Sequence, residues 1–273
     1  MLNSCAHKMS ASVRSFQEKN GYVLKWADEF DIDGKPNNLN WGYERGFVRN
    51  EEQQWYQPEN AYCKGGFLVI EAKKETRPNP RFDESSRDWR KNRKNIDYTS
   101  ACLLSRGKQQ WLYGRFVMRA RIDISSGMWP AWWTLGIDKA WPANGEIDIM
   151  EYYKGKLLAN IACLGKDHRA AWFSNIIKTD SLGGKSWANQ FHIWRMDWTE
   201  ESIALYCDDY LLNNTSLDQL VNQDGSGFNP FKQPHYLLLN LAIGGINGGN
   251  PDSTQFPQRF EVDYVRVFQK SNN

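Results

Sequence analysis

The sequence predicts an all-β fold, an antiparallel β-sandwich or jelly roll. Three observations point there. Many short runs alternate apolar and polar residues between turn-forming segments. Helical periodicity is nearly absent, and no helices of 10–15 residues separate the strands as an α/β fold requires. The 273 residues also include Trp 13, Tyr 12 and Phe 13, a density that fills an all-β core and leaves a minority for stacking platforms.

Taken in order, residues 1–20 are polar, and the folded part begins near Tyr22 in GYVLKWADEF. The runs GGFLVIEAKKE, YTSACLLSR, YGRFVMRARIDI, PAWWTLGI, GEIDIMEYY, KLLANIACLG, NQFHIWRMDWT, SIALYCDDYLL, HYLLLNLAIGG and RFEVDYVRVFQ follow as strands. In RFVMRARIDI, Phe116, Met118, Ala120, Ile122 and Ile124 share one face. SLDQLV, near Ser216–Val221, reads as a short helix or turn. No linker-like change of composition interrupts the strands, so residues 21–273 read as a single domain. Glu75 to Ser100 is polar, proline-bearing and densely charged, and reads as a long surface loop, either a solvated excursion or one wall of a cleft.

The formal net charge of +2 implies no nucleic-acid or acidic-polymer partner. No stretch of about 18 apolar residues is present to span a membrane. The five cysteines lack metal-type spacing, and Cys63, Cys102, Cys163 and Cys207 sit in strand-like runs as buried thiols. Cys5, in MLNSCAHK, stands apart. Its L-x-x-C resembles the tail of a bacterial lipoprotein export signal, the alternative being an ordinary cysteine in a polar terminus. None of the four histidines has metal-ligand spacing.

The stretch with most chemistry is GEIDIMEYY, Gly145 to Tyr153. Glu146 and Asp148 share a face of a regular strand, whereas the five-residue offset to Glu151 is odd and places it opposite. A β-bulge near Met150 would make that offset behave as four and bring all three acids to one face. Without the bulge, Glu151 faces away and the other two pair with arginines. Two carboxyl groups held about 5–5.5 Å apart are what retaining glycoside hydrolysis needs. Upstream, SSGMWPAWWTLG sends Trp129 and Trp133 to one face and Trp132 to the other, and a tryptophan beside carboxylates suits stacking on a sugar ring.

WADEF, NEEQQWYQPEN, LVIEAKKE, YTSACLLSRGKQQWLYGRFVMRARI, GMWPAWWTLG, GEIDIMEYY, LLLNLAIGG and VDYVRVF together resemble glycoside hydrolase family 16, laminarinase-like branch, from about Trp26 to Phe268. The carboxylate strand resembles the bulged E-x-D-x-x-E form of that family. The resemblance implies a jelly roll with an open substrate cleft and a retaining endo-β-glucanase acting on β-1,3 or mixed β-1,3/1,4-glucans. By resemblance, Glu146 is the nucleophile, Glu151 the acid/base and Asp148 the residue holding their protonation states apart. Trp129 and Trp133 would line donor subsites, and Asn40, Arg45, Glu52 and Asn240 would touch sugar. No cofactor is implied for catalysis. Asp263 would ligate a structural Ca²⁺, the alternative being an ordinary strand-start aspartate.

A β-glucan partner, a monomer, and an extracellular or bacterial cell-surface location with a lipid anchor at Cys5 complete the expectation. Two departures bear on linkage: Ala162 and Cys163 stand where many relatives carry histidine, and Asn247 stands where many carry tryptophan. The alternatives are the same mechanism on a red-algal galactan, served by basic residues in Arg87–Lys94, and a non-catalytic glycan-binding jelly roll.

Overall fold

The computed structural model describes residues 21–271; Cys5 and its lipoprotein-like surroundings lie outside the described residues. Two sheets face each other. The first runs, in spatial order, Tyr210–Ser216, Ser202–Cys207, His192–Trp198, Gly114–Arg121, Gln258–Lys270, Phe67–Pro78, Asn95–Ser100 and Gln54–Tyr56. Tyr22–Asp28 pairs with Gln258–Lys270, and Ala61–Lys64 with Phe67–Pro78, making ten strands. The second sheet has seven: Ala170–Lys178, Lys156–Leu164, Glu146–Tyr153, Met128–Gly136, His235–Ile243, Cys102–Leu104 and Gly42–Tyr43. Pairing is antiparallel except between Gln54–Tyr56 and Asn95–Ser100. This is the jelly roll that the alternation predicts.

The core forms where the inward faces meet. Phe116, Met118 and Ala120 come from the ten-stranded sheet, and Trp132, Ile147, Leu239 and Leu241 from the other. Alternation is regular where the other face meets water: His192–Trp198 switches between buried and half-buried at every residue. It fails where both faces are covered, so His235–Ile243 is buried throughout. Cys63, Cys102, Cys163 and Cys207 are free and buried. No helix of the described residues is long and apolar enough to cross a membrane.

Two readings of the sequence need correction. Glu75–Ser100 is not one loop. Phe67–Pro78 and Asn95–Ser100 extend into it and pair, Lys73 opposite Thr99 and Arg77 opposite Ile96, leaving residues 79–94 as the excursion. The far half of Phe67–Pro78 is largely exposed on both faces, so it carries no apolar alternation to find. Ala170–Lys178, an edge strand, was not predicted. Trp172 and Ile176 face one way and Phe173 and Ile177 the other, so it too shows no alternation.

Candidate active site

The carboxylate strand Glu146–Tyr153 lies at the centre of the seven-stranded sheet, between Met128–Gly136 and Lys156–Leu164. Its register settles the odd spacing. Asp148 pairs with Trp133 but Met150 pairs with Trp132, so one residue is inserted between them. Against the other neighbour, Asp148 faces Asn160 and Glu151 faces Leu158, again with one residue extra. Ile149 and Met150 consequently both enter the core, and the unpaired position opposite Met128–Gly136 is Ile149 rather than Met150. Glu146, Asp148, Glu151 and Tyr153 all line a cleft of ≈ 850 Å³ on the outer face. Gly145 sets the strand's entry with φ +77°, and a Cβ there would lie 2.8 Å from Pro230 Cβ.

The donors that reach these acids are indole and amide N–H groups. Trp141 Nε1 donates to Glu146 Oε2 at 2.6 Å. Trp129 Nε1 donates to Glu151 Oε1 at 2.7 Å. Asn160 Nδ2 spans Asp148 Oδ2 at 3.2 Å and Glu151 Oε2 at 2.9 Å. Burial raises all three pKa values, that of Glu151 to about 8, with the Glu146 charge adding to the rise. Asp148 rises well above the carboxylate range through burial and then the charges of Glu146 and Glu151. The hydrogen bond between Asp148 and Glu146 favours the proton on Asp148 and the charge on Glu146. Glu151, raised to about 8, is the acid of this face placed to give a proton.

The wall on the Met128–Gly136 side is a chain of hydrogen bonds. Trp133 Nε1 donates to Asn240 Oδ1 at 2.7 Å, and Asn240 Nδ2 to the Tyr56 hydroxyl at 3.1 Å. Tyr56 in turn donates to Glu52 Oε2 at 3.3 Å, which also accepts from Gln54 at 2.7 Å. The Arg49 guanidinium lies 5.1 Å from the centre of the Trp133 ring and is ion-paired with Glu44. Arg93 Nη2 donates to the Glu51 carbonyl at 2.7 Å, fastening the 79–94 excursion to this wall. Arg90, from the same excursion, lines the cleft.

Of the residues singled out in the sequence, Glu146, Asp148, Glu151, Trp129, Trp133, Glu52 and Asn240 line this one cleft. Asn40 does not. Its side chain bonds Trp26 and Asp28, tying a loop to the first strand. Arg45 is exposed and absent from the cleft lining, where Arg49 stands instead. Both are corrections, and both positions lie in irregular segments where periodicity assigns no face. Sequence reasoning missed Trp141, Asn160, Arg49 and Trp172. For Trp141 and Asn160 a signal existed: one sits five residues before Glu146, the other on the adjacent predicted strand.

Asp263 is buried and its Oδ2 pairs with Arg119 Nη1 at 2.7 Å. A guanidinium already meets that charge, which does not fit the calcium-ligand expectation, and no step below involves a metal. His192, Cys207 and Asp208 also converge. There, however, His192 uses both ring nitrogens, Nδ1 on Asp208 Oδ2 and Nε2 on the Trp187 carbonyl, each at 2.9 Å. Burial raises the Cys207 thiol pKa, so this group acts as a clasp between strand ends.

A jelly roll with carboxyls brought to one face of a strand and tryptophans beside them in an open cleft defines a polysaccharide-cleaving glycosidase. The family model Glycosyl hydrolases family 16 matches residues 49–266, and the chain belongs to that family. A Rhodothermus marinus β-glucanase is 35% identical over 91% of this chain and 85% of its own length. A glucan endo-1,3-β-glucosidase of Cryptopygus antarcticus is 33% identical over 90% of this chain and 91% of its own. Among solved structures, the Thermotoga maritima laminarinase catalytic domain superposes with TM-score 0.75 at 32% identity, covering 92% of this chain and 99% of its own. A structure from a study of endo-acting O-glycanases, which prominent members of the human gut microbiota express to initiate mucin breakdown, superposes with TM-score 0.83 at 33% identity, covering 92% of each chain.

Proposed function

We propose that the chain is a retaining endo-β-glucanase that hydrolyses β-1,3 or mixed β-1,3/1,4-glucans by double displacement. The observation that carries this is the bulge, which puts Glu146 and Glu151 on one face while burial keeps Glu151 protonated to about pH 8. Glu146 attacks the anomeric carbon as Glu151 gives its proton to the departing glycosidic oxygen, leaving a glycosyl–enzyme ester. Glu151, now a carboxylate, takes a proton from water, whose oxygen displaces Glu146 and returns the enzyme to its starting state. Asp148 donates its hydrogen bond to Glu146 throughout and limits the charge crowded on the strand. Donor sugars lie along Trp133, Asn240 and Glu52. An extended polymer fits a cleft open along the sheet, and a polymeric substrate supports a location outside the cell or on its surface. Cys5 would be the lipid attachment point and the enzyme a monomer.

A second reading has its own support. The mucin O-glycanase structure superposes with a higher TM-score than the Thermotoga laminarinase at nearly equal identity. The site would then cut a β-linked host O-glycan by the same chemistry. Reducing-sugar release and product mass from laminarin, barley β-glucan and mucin O-glycans separate the two. Release from laminarin or barley glucan is expected; cleavage confined to mucin glycans overturns the glucanase reading, and no cleavage of any overturns both.

A further inference from the structure

Across the seven-stranded sheet, residues paired in register lie side by side on one face. One such row runs Tyr236, Leu135, Glu146, Ala162, Trp172. Trp172 is therefore two strands beyond the nucleophile, roughly 10 Å away, on the side opposite Trp133 and Asn240. Ala162, which is buried, occupies the position between them in the row. Among the described residues, Trp141 and Trp172 are the tryptophans with large exposed area, 52% and 48%, and both line the cleft. Trp141 is held by its hydrogen bond to Glu146. The Trp172 side chain makes no hydrogen bond or ring contact with the described residues, and its strand forms the sheet edge. A half-exposed indole on an edge strand that lines a cleft is suited to a ligand with an apolar face.

We propose that Trp172 is the stacking platform for sugar on the leaving-group side of the bond cut. This rests on the assignment of the Trp133 wall to donor sugars. It follows that Trp172 serves two steps. In the first it holds the departing part of the chain while Glu151 protonates the glycosidic oxygen. In the second it can hold an acceptor sugar, whose hydroxyl oxygen replaces water in attacking the anomeric carbon. That hydroxyl's proton passes to Glu151, Glu146 leaves as carboxylate, and a new glycosidic bond forms.

The test compares wild type, Trp172→Ala, Trp172→Thr and Trp172→Phe on three readouts. The first is kcat/KM on whichever polymer the wild type cleaves. The second is kcat/KM on the glycosyl fluoride of that polymer's donor disaccharide, which places neither sugar nor ring on the leaving-group side. The third is the ratio of transfer to hydrolysis with added oligosaccharide acceptor. Removing the ring should lower polymer kcat/KM about tenfold and reduce the transfer ratio similarly, leaving glycosyl fluoride hydrolysis within about twofold; Trp172→Phe should retain most of each. Trp172→Thr repeats the test with a strand-favouring residue in case the alanine variant folds poorly. Unchanged polymer cleavage and transfer, or equal loss on polymer and glycosyl fluoride, would overturn the proposal. Absence of laminarin and barley-glucan cleavage by the wild type would instead count against the glucanase reading alone.

Discussion

The two outer faces of this sandwich treat buried carboxylates in opposite ways. On and beside the ten-stranded sheet, several acids are met by an arginine. Arg115 grips Asp197, Arg119 meets Asp263, Arg121 meets Glu261, and Arg266 holds Glu29 through two bonds at 2.7 and 2.8 Å. On the seven-stranded sheet, indole and amide N–H groups reach Glu146, Asp148 and Glu151, while nearby Arg49 is paired with Glu44. Strand alternation puts acids outward on both faces. A carboxylate beside a guanidinium stays ionised and has no proton to give. Left buried without a cation, it keeps its proton near neutral pH, as general acid catalysis requires.

The comparison can be broken most severely at the carboxylate strand. Glu146→Ala and Glu151→Ala should each cut kcat on the polymer by about 10³-fold or more. Azide should rescue them differently, giving a glycosyl azide of inverted configuration for the first and retained configuration for the second. Identical configurations would refute the division of roles.

The pH dependence follows next. Activity should fall as pH rises through about 8, where Glu151 loses the proton it must donate. Its folded-state pKa lies above its unfolded value, so its stabilising contribution is complete below the unfolded pKa near 4.5 and is lost progressively up to about 8. Glu151→Gln should therefore be inactive, yet melt a few degrees higher than wild type near pH 8. A Tm difference independent of pH between 4.5 and 8 would contradict the assignment.

Smaller effects belong to the paired face. Arg121→Gln should cost at most about 1 kcal/mol in urea unfolding, because the side chain is part-exposed, and should leave kcat unchanged. Chelation with EDTA should leave Tm unchanged, since Arg119 already occupies the Asp263 carboxylate. A drop in Tm reversed by Ca²⁺ would restore the metal-ligand reading.

Much of this was legible in residue order, and the limits have physical causes. Alternation exposed the strands that bury one face, such as His192–Trp198, and hid Ala170–Lys178, which carries apolar residues on both faces. The cleft positions of Trp129, Trp133, Glu146 and Asp148 were legible because each lies on a strand whose period assigns a face. Asn40 and Arg45 lie in loops, where no period exists to assign one, and neither lines the cleft.

The sequence by itself determined the all-β class, the order of the strands and the presence of three acids within six positions. It left two outcomes open for Glu151, since a period of two puts it opposite Glu146 unless one residue is inserted. Only the pairing of that strand with both neighbours decided the matter, by sending Ile149 and Met150 together into the core. Protonation was likewise a tertiary outcome. Burial raised the carboxyl pKa values, and burial depends on what the folded chain brings around an acid.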